Sequence, residues 1–415
     1  MPENPAAPAQ HASAAQLRTA LADQLRDGGH TRTPAVEEAL HTVARHLFLP
    51  DTGLEDAYAN DTVAIKHAAD GTALSCASQP SIVALQLEQL EARPAQRILE
   101  LGAGTGYNAA LLGRLVGDRG QVITVDVDDE LLAGARARLA ETGVANVETI
   151  LGDGALGHPP GAPYDRIIAT VGAHHLPVAW LEQLAPGGRL VAPVRIAGDA
   201  HRSIAFEAEG EHWRGVDSRM CTFMPLRNSI GDDPRRRLDI TGHNTVHLHI
   251  NQDQRIENAQ VRGVLEEPAA TVWTGVEFGT GQSFEPMWMW LALSLDNPVS
   301  RMPVQRRAVE EGLVAPGLRW GDMAGVPTSG RGLAYMTTRP APGAPGREVG
   351  VIGHAQAGHA LAEEMAALIQ QWQRRRDQEI TFALYPATAQ VPAAAPGRFV
   401  LERGAHRLIV SWATP

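Results

Sequence analysis

Between Pro80 and Pro193 short β-prone runs alternate with helical stretches, and no other feature of the chain constrains its fold as tightly. A helix over Pro80–Leu90 leads to strand Arg97–Leu101, helix Tyr107–Val116, strand Gln121–Asp126, helix Asp129–Thr142 and a short strand at Val147–Leu151. Strand Tyr164–Ala169, helix Pro177–Leu184 and strand Arg189–Pro193 continue the series. Strands separated by helices of this length join as parallel neighbours through right-handed crossovers. The expected fold is therefore α/β, a doubly wound Rossmann-like sheet with helices on both faces. Upstream, Leu17, Leu21 and Leu25 recur at a spacing of four before Gly28-Gly29, and Pro34–His46 presents Val36, Leu40 and Val43 on one side. Both read as helices.

The alternation stops after Arg195. Residues 1–14, rich in Pro, Ala and Gln without periodicity, read as a flexible tail; 15–235 read as the first domain and 236–415 as a C-terminal accessory domain of mixed α/β type. The second domain offers strands at Thr245–Ile250, Gly332–Thr337, Val349–Gly353, Glu379–Tyr385, Phe399–Glu402 and Leu408–Trp412. One strong helix, Gly358–Arg376, places Leu361, Met365, Leu368, Ile369 and Trp372 on a common face.

Composition narrows the function classes. With 36 basic against 47 acidic residues the formal charge is −11, which excludes a general electrostatic grip on nucleic acid. Of the basic residues only Lys66 is lysine, which reads as the mark of a GC-rich genome. Two cysteines, Cys76 and Cys221, support neither a disulfide framework nor a cysteine-rich zinc module. The longest apolar run, Met287–Leu295, is about half of the ~20 residues that span a bilayer. The N-terminus lacks the basic start and apolar segment of a signal peptide. A cytoplasmic protein without membrane contact is expected.

The chemistry is carried by strand RILEL running into GAGTGYNAAL. Glu100, Gly102, Gly104 and Gly106 give E-x-G-x-G-x-G, not the G-x-G-x-x-G of a dinucleotide site, whose third glycine position holds Tyr107. An acid at the end of the strand repels phosphate and suits a ligand with a cationic amino-acid end. Asp126 ends the next strand, 20 residues beyond Gly106, where a carboxylate can take both hydroxyls of a ribose. Gly152-Asp153-Gly154 follows the third strand, near where an adenine edge would lie. In this order the three markers describe S-adenosylmethionine. A lone glycine motif would mean only a tight turn.

From about Val36 to Pro193 the chain resembles the protein L-isoaspartyl O-methyltransferase family. The resemblance is carried by ALSCASQPSIVALQLEQL, RILELGAGTGYNAALLGRLVG, VITVDVDDELLAGARARL, LGDG and YDRIIATVGAHHLPVAWLEQLAPGGRLVAPV. It implies a class I methyltransferase fold and S-adenosylmethionine as cofactor, with S-adenosylhomocysteine as product. The cofactor residues it implies are Glu100, Gly102, Ala103, Gly104, Thr105, Gly106, Asn108, Asp126, Val127, Asp153 and Gly154. In the family the serine of S-Q-P lies beside the target carboxylate, a role that would fall to Ser78 with Gln79. Ser78 also reads as the N-cap of the Pro80 helix, with Ser75, Cys76 and Ser81 as neighbouring alternatives. Where the family usually has small residues, the loop VGAHHLP has His174 and His175, candidates for substrate contact or simply an exposed loop.

A carboxylate with a reference pKa of ~3.9 is ionised at neutral pH, so methyl transfer to it needs no general base. Two destinations follow for the ester: repair of isoaspartyl residues in proteins generally, or installation of a succinimide or isoaspartate in a ribosomally made, modified peptide. With its added C-terminal domain, the whole-chain layout resembles that of lanthipeptide methyltransferases described as the FxLD system and of relatives beside ATP-grasp peptide ligases. The second destination is the one expected, with that domain recognising the peptide or joining protomers. A decayed methyltransferase fold serving as an adaptor is the non-enzymatic alternative. His243, His247 and His249 lack an accompanying ligand set, so no metal is expected. Arg235–Arg237 and Arg374–Arg376 read as solvated ends before acidic-peptide contacts, and Trp288 and Trp290 as core.

Overall fold

A computed structural model describes residues 12–69, 71, 73–227, 236–318, 321–341 and 345–413. Most of the expected tail and Arg235 lie outside the described residues. The chain divides into two compact units: Met1–Gly172, Pro177–Pro193 and Ser203–Gly231 form the first, and Ala173–Leu176, Val194–Arg202 and Asp232–Pro415 the second.

The first unit opens with α1 (Ala14–Asp27), started by a capping box in which Ser13 and Gln16 satisfy each other's backbone N–H groups. Next, α2 (Pro34–Thr42) stops short of His46, because the backbone turns into a 3-10 segment, Arg45–Phe48, that carries Arg45 inside. A short helix α3 (Leu54–Ala57) precedes an antiparallel hairpin, β1 (Val63–His67) and β2 (Ala73–Ala77), that hydrophobic periodicity did not reveal.

The alternating series follows: α4 (Pro80–Leu90), β3 (Arg97–Leu101), α5 (Tyr107–Val116), β4 (Gln121–Asp126), α6 (Asp129–Glu141), β5 (Val147–Leu151), β6 (Tyr164–Ala169), α7 (Val178–Glu182), β7 (Leu184–Ala197), β8 (Ala200–Glu209) and β9 (His212–Met220). Strand order is β9-β8-β7-β6-β3-β4-β5, and β3 pairs in parallel with both β4 and β6. β4/β5 and β6/β7 are parallel as well. The order therefore reverses beside β3, the place where open parallel sheets bind ligands at their carboxyl edge. Helices α1, α2, α4 and α5 bury Leu25, Leu40, Leu87 and Leu111 against Ile98, Val122 and Ile168 of the sheet. Burial of this kind contributes roughly 1.5–3 kcal/mol per large aliphatic side chain.

The second unit holds β10 (Arg236–Asp239), β11 (His247–Ile250), α8 (Asn258–Val261), β12 (Ala269–Gly279), α9 (Glu285–Ser294), β13 (Ser300–Pro303), α10 (Arg306–Glu310), β14 (Gly321–Gly325), β15 (Leu333–Pro340), β16 (Gly346–His354), α11 (Ala355–Gln373), β17 (Glu379–Pro386), β18 (Arg398–Arg403) and β19 (His406–Ala413). Seven of these strands form one sheet in the order β10-β11-β13-β14-β15-β16-β12. β19 pairs antiparallel with both β17 and β18. α11 lies across β12, β15 and β16 at the closest approach glycine allows: a side chain on Gly358 would start 2.6 Å from the Leu333 carbonyl oxygen. The Met287–Leu295 run lies largely in α9. With Met287, Met289, Trp290 and Leu291 all buried it is apolar around its circumference, so it shows no helical periodicity in the sequence. Among the described residues no helix is long and apolar enough to cross a membrane.

Candidate active site

The carboxyl edge of the parallel strands gathers the loops singled out by the sequence. After β3 the backbone takes φ values of +102° at Gly102, +50° at Gly104 and +87° at Gly106, a left-handed path that side chains disfavour. At Gly102 there is no room either, since a Cβ would lie 2.5 Å from Thr170 Oγ1, which itself donates to the Gly102 carbonyl at 2.7 Å. The loop thus keeps a concave backbone surface, with Ala103 and Thr105 buried between the glycines and Gly106 beginning α5.

Two carboxylates frame this loop in different ways. Asp126 is half-buried, and its oxygens accept the N–H groups of Gly104 and Asp128, each at 3.0 Å, across the intervening Val127. A carboxylate has about four lone-pair positions, so two remain for a diol. Glu100 is fully buried, with Oε1 accepting from Asn108 Nδ2 at 2.7 Å and Oε2 from Thr124 Oγ1 at 2.6 Å. Burial pushes its carboxyl up to about 7, while the two hydrogen bonds pull it back. Glu100 and Asn108, both expected at the cofactor, bond to each other and with Thr124 tie the start of α5 to β4 beneath the loop.

Asp153 begins the turn after β5, accepting from Ala155 N–H at 2.9 Å, and Gly154 is fixed by Trp180 Nε1 donating to its carbonyl at 2.8 Å. Leu226 lies 3.5 Å from where a Gly154 side chain would begin, giving this end of the edge an apolar wall.

Ser78 follows β2, half-buried, and its hydroxyl has no hydrogen-bond partner among the described residues. Its reading as a helix cap is corrected: the N-cap of α4 is Gln79, whose side chain makes no cap bond, and Asn60 Oδ1 accepts the Ser81 N–H at 2.9 Å instead. The Ser78 carbonyl is held by Arg45 Nη2 at 3.0 Å; Arg45 Nε donates to the Ala57 carbonyl, and its guanidinium lies 5.1 Å from the centre of the Tyr107 ring. Burial lowers the Arg45 pKa and raises that of Tyr107 to about 12, which keeps Tyr107 a neutral phenol beside the guanidinium. Sequence reasoning missed Arg45 and Asn60, since neither lies in a motif. Burial also raises the Cys76 thiol, which disfavours the thiolate that a nucleophile needs.

The histidines of VGAHHLP belong to the second unit. His174 is 5% exposed, packs edge-on against His175 with ring centres 4.5 Å apart, and is pushed down to about 2 by burial and by Arg195 and Arg403. It is a buried neutral ring, so the reading of this position as simply an exposed loop does not describe it. Arg376 donates to the Glu277 carbonyl and to Gln282, which leaves it a structural role at the end of α11. Where Asp23, Glu37 and His41 cluster, the Arg26 guanidinium lies 2.8 Å from both carboxylates.

A parallel sheet of this order, a glycine loop after its central strand and an acid at the tip of the next define a class I S-adenosylmethionine-dependent methyltransferase. The family described as Protein-L-isoaspartate(D-aspartate) O-methyltransferase (PCMT) matches residues 15–230, and the chain belongs to that family. A protein-L-isoaspartate O-methyltransferase of Methanopyrus kandleri is 39% identical over 222 residues, 52% of this chain and 93% of that one. One from Methanoregula boonei is 41% identical over 215 residues, 52% of this chain and 94% of its own length. A solved structure titled protein-L-isoaspartate O-methyltransferase is 20% identical, with a TM-score of 0.48, and aligns with 88% of this chain and 96% of its own. Another, from Plasmodium falciparum in complex with S-adenosyl-L-homocysteine, is 18% identical with a TM-score of 0.44 over 51% of this chain and 99% of its own. The protein is accordingly an S-adenosylmethionine-dependent carboxyl O-methyltransferase that yields S-adenosylhomocysteine.

Proposed function

We propose that this chain esterifies the free α-carboxylate of isoaspartyl residues in peptides and proteins. The observation that carries this reading is Arg45. By holding the Ser78 carbonyl and lying over the ring of Tyr107, the first residue of α5, it links Ser78 to the end of the glycine loop.

In this reading Gly102, Ala103, Gly104, Thr105 and Gly106 give the cofactor close backbone approach. Asp126 takes its ribose hydroxyls with Val127 alongside, and Asp153 with Gly154 borders the adenine. Glu100 and Asn108 support the loop from below. When bound, S-adenosylmethionine supplies a methyl carbon that a carboxylate oxygen attacks as the carbon–sulfur bond breaks, leaving S-adenosylhomocysteine. Ser78 and Gln79 orient the target carboxylate, the Ser78 hydroxyl donating to one of its oxygens. Because the nucleophile is already ionised, alignment and exclusion of water supply the acceleration.

A second reading is favoured by the second unit, since the family match ends at residue 230 and the remainder has its own core of Ile240, Leu248, Met302 and Tyr335. In it the substrate is a normal aspartate of a ribosomally made, modified peptide, recognised through that unit. The deciding experiment offers a peptide in its isoaspartyl and aspartyl forms with isotopically labelled cofactor, followed by mass spectrometry. Label in the isoaspartyl form supports the proposal. Label confined to aspartate of a modified precursor peptide replaces it with the second reading.

A further inference from the structure

The only lysine in the chain lies on β1, where the hairpin meets the loop after β4. Lys66 Nζ donates to Asp128 Oδ1 at 2.9 Å and to Glu130 Oε2 at 2.8 Å. Asp128 in turn caps α6 by accepting from Leu131 N–H, and its own N–H donates to Asp126, whose second oxygen holds Gly104. A continuous chain of polar contacts therefore runs from the hairpin to the glycine loop. An apolar contact runs beside it. Ile65, one residue before Lys66, places Cδ1 4.0 Å from where a side chain on Gly104 would begin, so the hairpin lies directly on the loop. Lys66 pairs with Ser75 across the hairpin, and β2 leads within a few residues to Ser78.

We propose that Lys66 is a positioning residue, a clasp that holds the β1–β2 hairpin over the cofactor loop and thereby sets both cofactor residence and the placement of Ser78. The proposal rests on the assignment of the glycine loop as the cofactor site. The clasp has the exposure of a contact that can release. Lys66 is 29% exposed, Asp128 12% and Glu130 83%, so water competes for the ammonium on the Glu130 side while the Asp128 side stays sheltered. Partly exposed ion pairs of this kind are individually weak and screened by salt. Arg227 also approaches Asp128, Nη2 to Oδ2 at 3.8 Å, so the cap of α6 keeps a cationic neighbour when Lys66 is replaced.

The test compares wild type, Lys66→Met and Lys66→Arg by calorimetry with S-adenosylhomocysteine, whose sulfur is neutral, and with cationic S-adenosylmethionine. The expected result is affinity for both ligands weakened about fivefold in Lys66→Met and largely restored in Lys66→Arg, with more of the affinity lost at high salt in wild type and Lys66→Arg than in Lys66→Met. A tighter S-adenosylmethionine complex with unchanged S-adenosylhomocysteine affinity would show a charge acting at a distance and overturn the clasp; so would equal affinities in all three proteins. A second measurement needs no variant. Amine acylation of wild-type Lys66, followed by peptide mass spectrometry, slows several-fold when S-adenosylhomocysteine is bound; an unchanged rate overturns the proposal. Wild type that fails to bind either ligand points instead to failure of the cofactor-site assignment.

Discussion

In the first unit β3 to β7 run parallel, while in the second unit the pairings of the described strands are antiparallel. The difference decides where function can gather. Parallel strands end on one edge, so the turns after Leu101, Asp126, Leu151 and Ala169 meet there whatever their distance in sequence. Antiparallel strands alternate, and their loops divide between two edges. The same difference appears in the glycines. Gly102 bends a loop at the functional edge, whereas Gly358 lets a helix lie against backbone in a region that the family match does not reach.

Valine at each of these two glycines separates the roles. For Gly102→Val the left-handed φ and the 2.5 Å approach to Thr170 predict loss of S-adenosylhomocysteine affinity by about a hundredfold or more, read by calorimetry. For Gly358→Val the clash with Leu333 predicts a second unit destabilised by roughly 3 kcal/mol or more. Hydrogen exchange should then show lost protection in β15, β16 and α11 with cofactor affinity kept within about twofold. Collapse of cofactor binding in that variant would mean that the two units form one cooperative block.

The next effect is at Glu100, the buried acid of the first unit. Glu100 titrates near 7 when folded and near 4.5 when unfolded, so the folded state holds an extra proton between those values. Its contribution is present below about 4.5 and is lost as pH rises to 7. Cofactor-free Glu100→Gln, which does not titrate, should gain roughly 2–3 kcal/mol on wild type between pH 5 and pH 8 in denaturant melts. A constant difference across that range would mean that water reaches the carboxylate. The smallest effect is at Ser78: Ser78→Ala should keep cofactor affinity and lower turnover about tenfold, the worth of one hydrogen bond to a charged group. Lost cofactor affinity would make the residue structural.

Strands β3 to β6 were legible in the sequence because each is a short apolar run between helices with a glycine or an acid at its tip. The glycine loop and Asp126 were legible for the same reason. Lys66 stood out only as a count; its partners lie more than sixty residues away and carry no pattern. Arg45 and Asn60 hold Ser78 and α4 through backbone atoms, which leave no trace in residue type. β12 and α9 went unread, the helix because its apolar residues are not confined to one face.

By itself the sequence determined the class of fold and the cofactor and picked out the glycine loop, because periodicity and glycine conformation are local properties. Tertiary structure alone decided the state of each side chain. It made Glu100 a buried support with a raised pKa, His174 a neutral core ring, and left Asp126 half-open at the edge. Burial, neighbouring charge and hydrogen-bond supply are set by elements distant in the chain, and only folding brings them together.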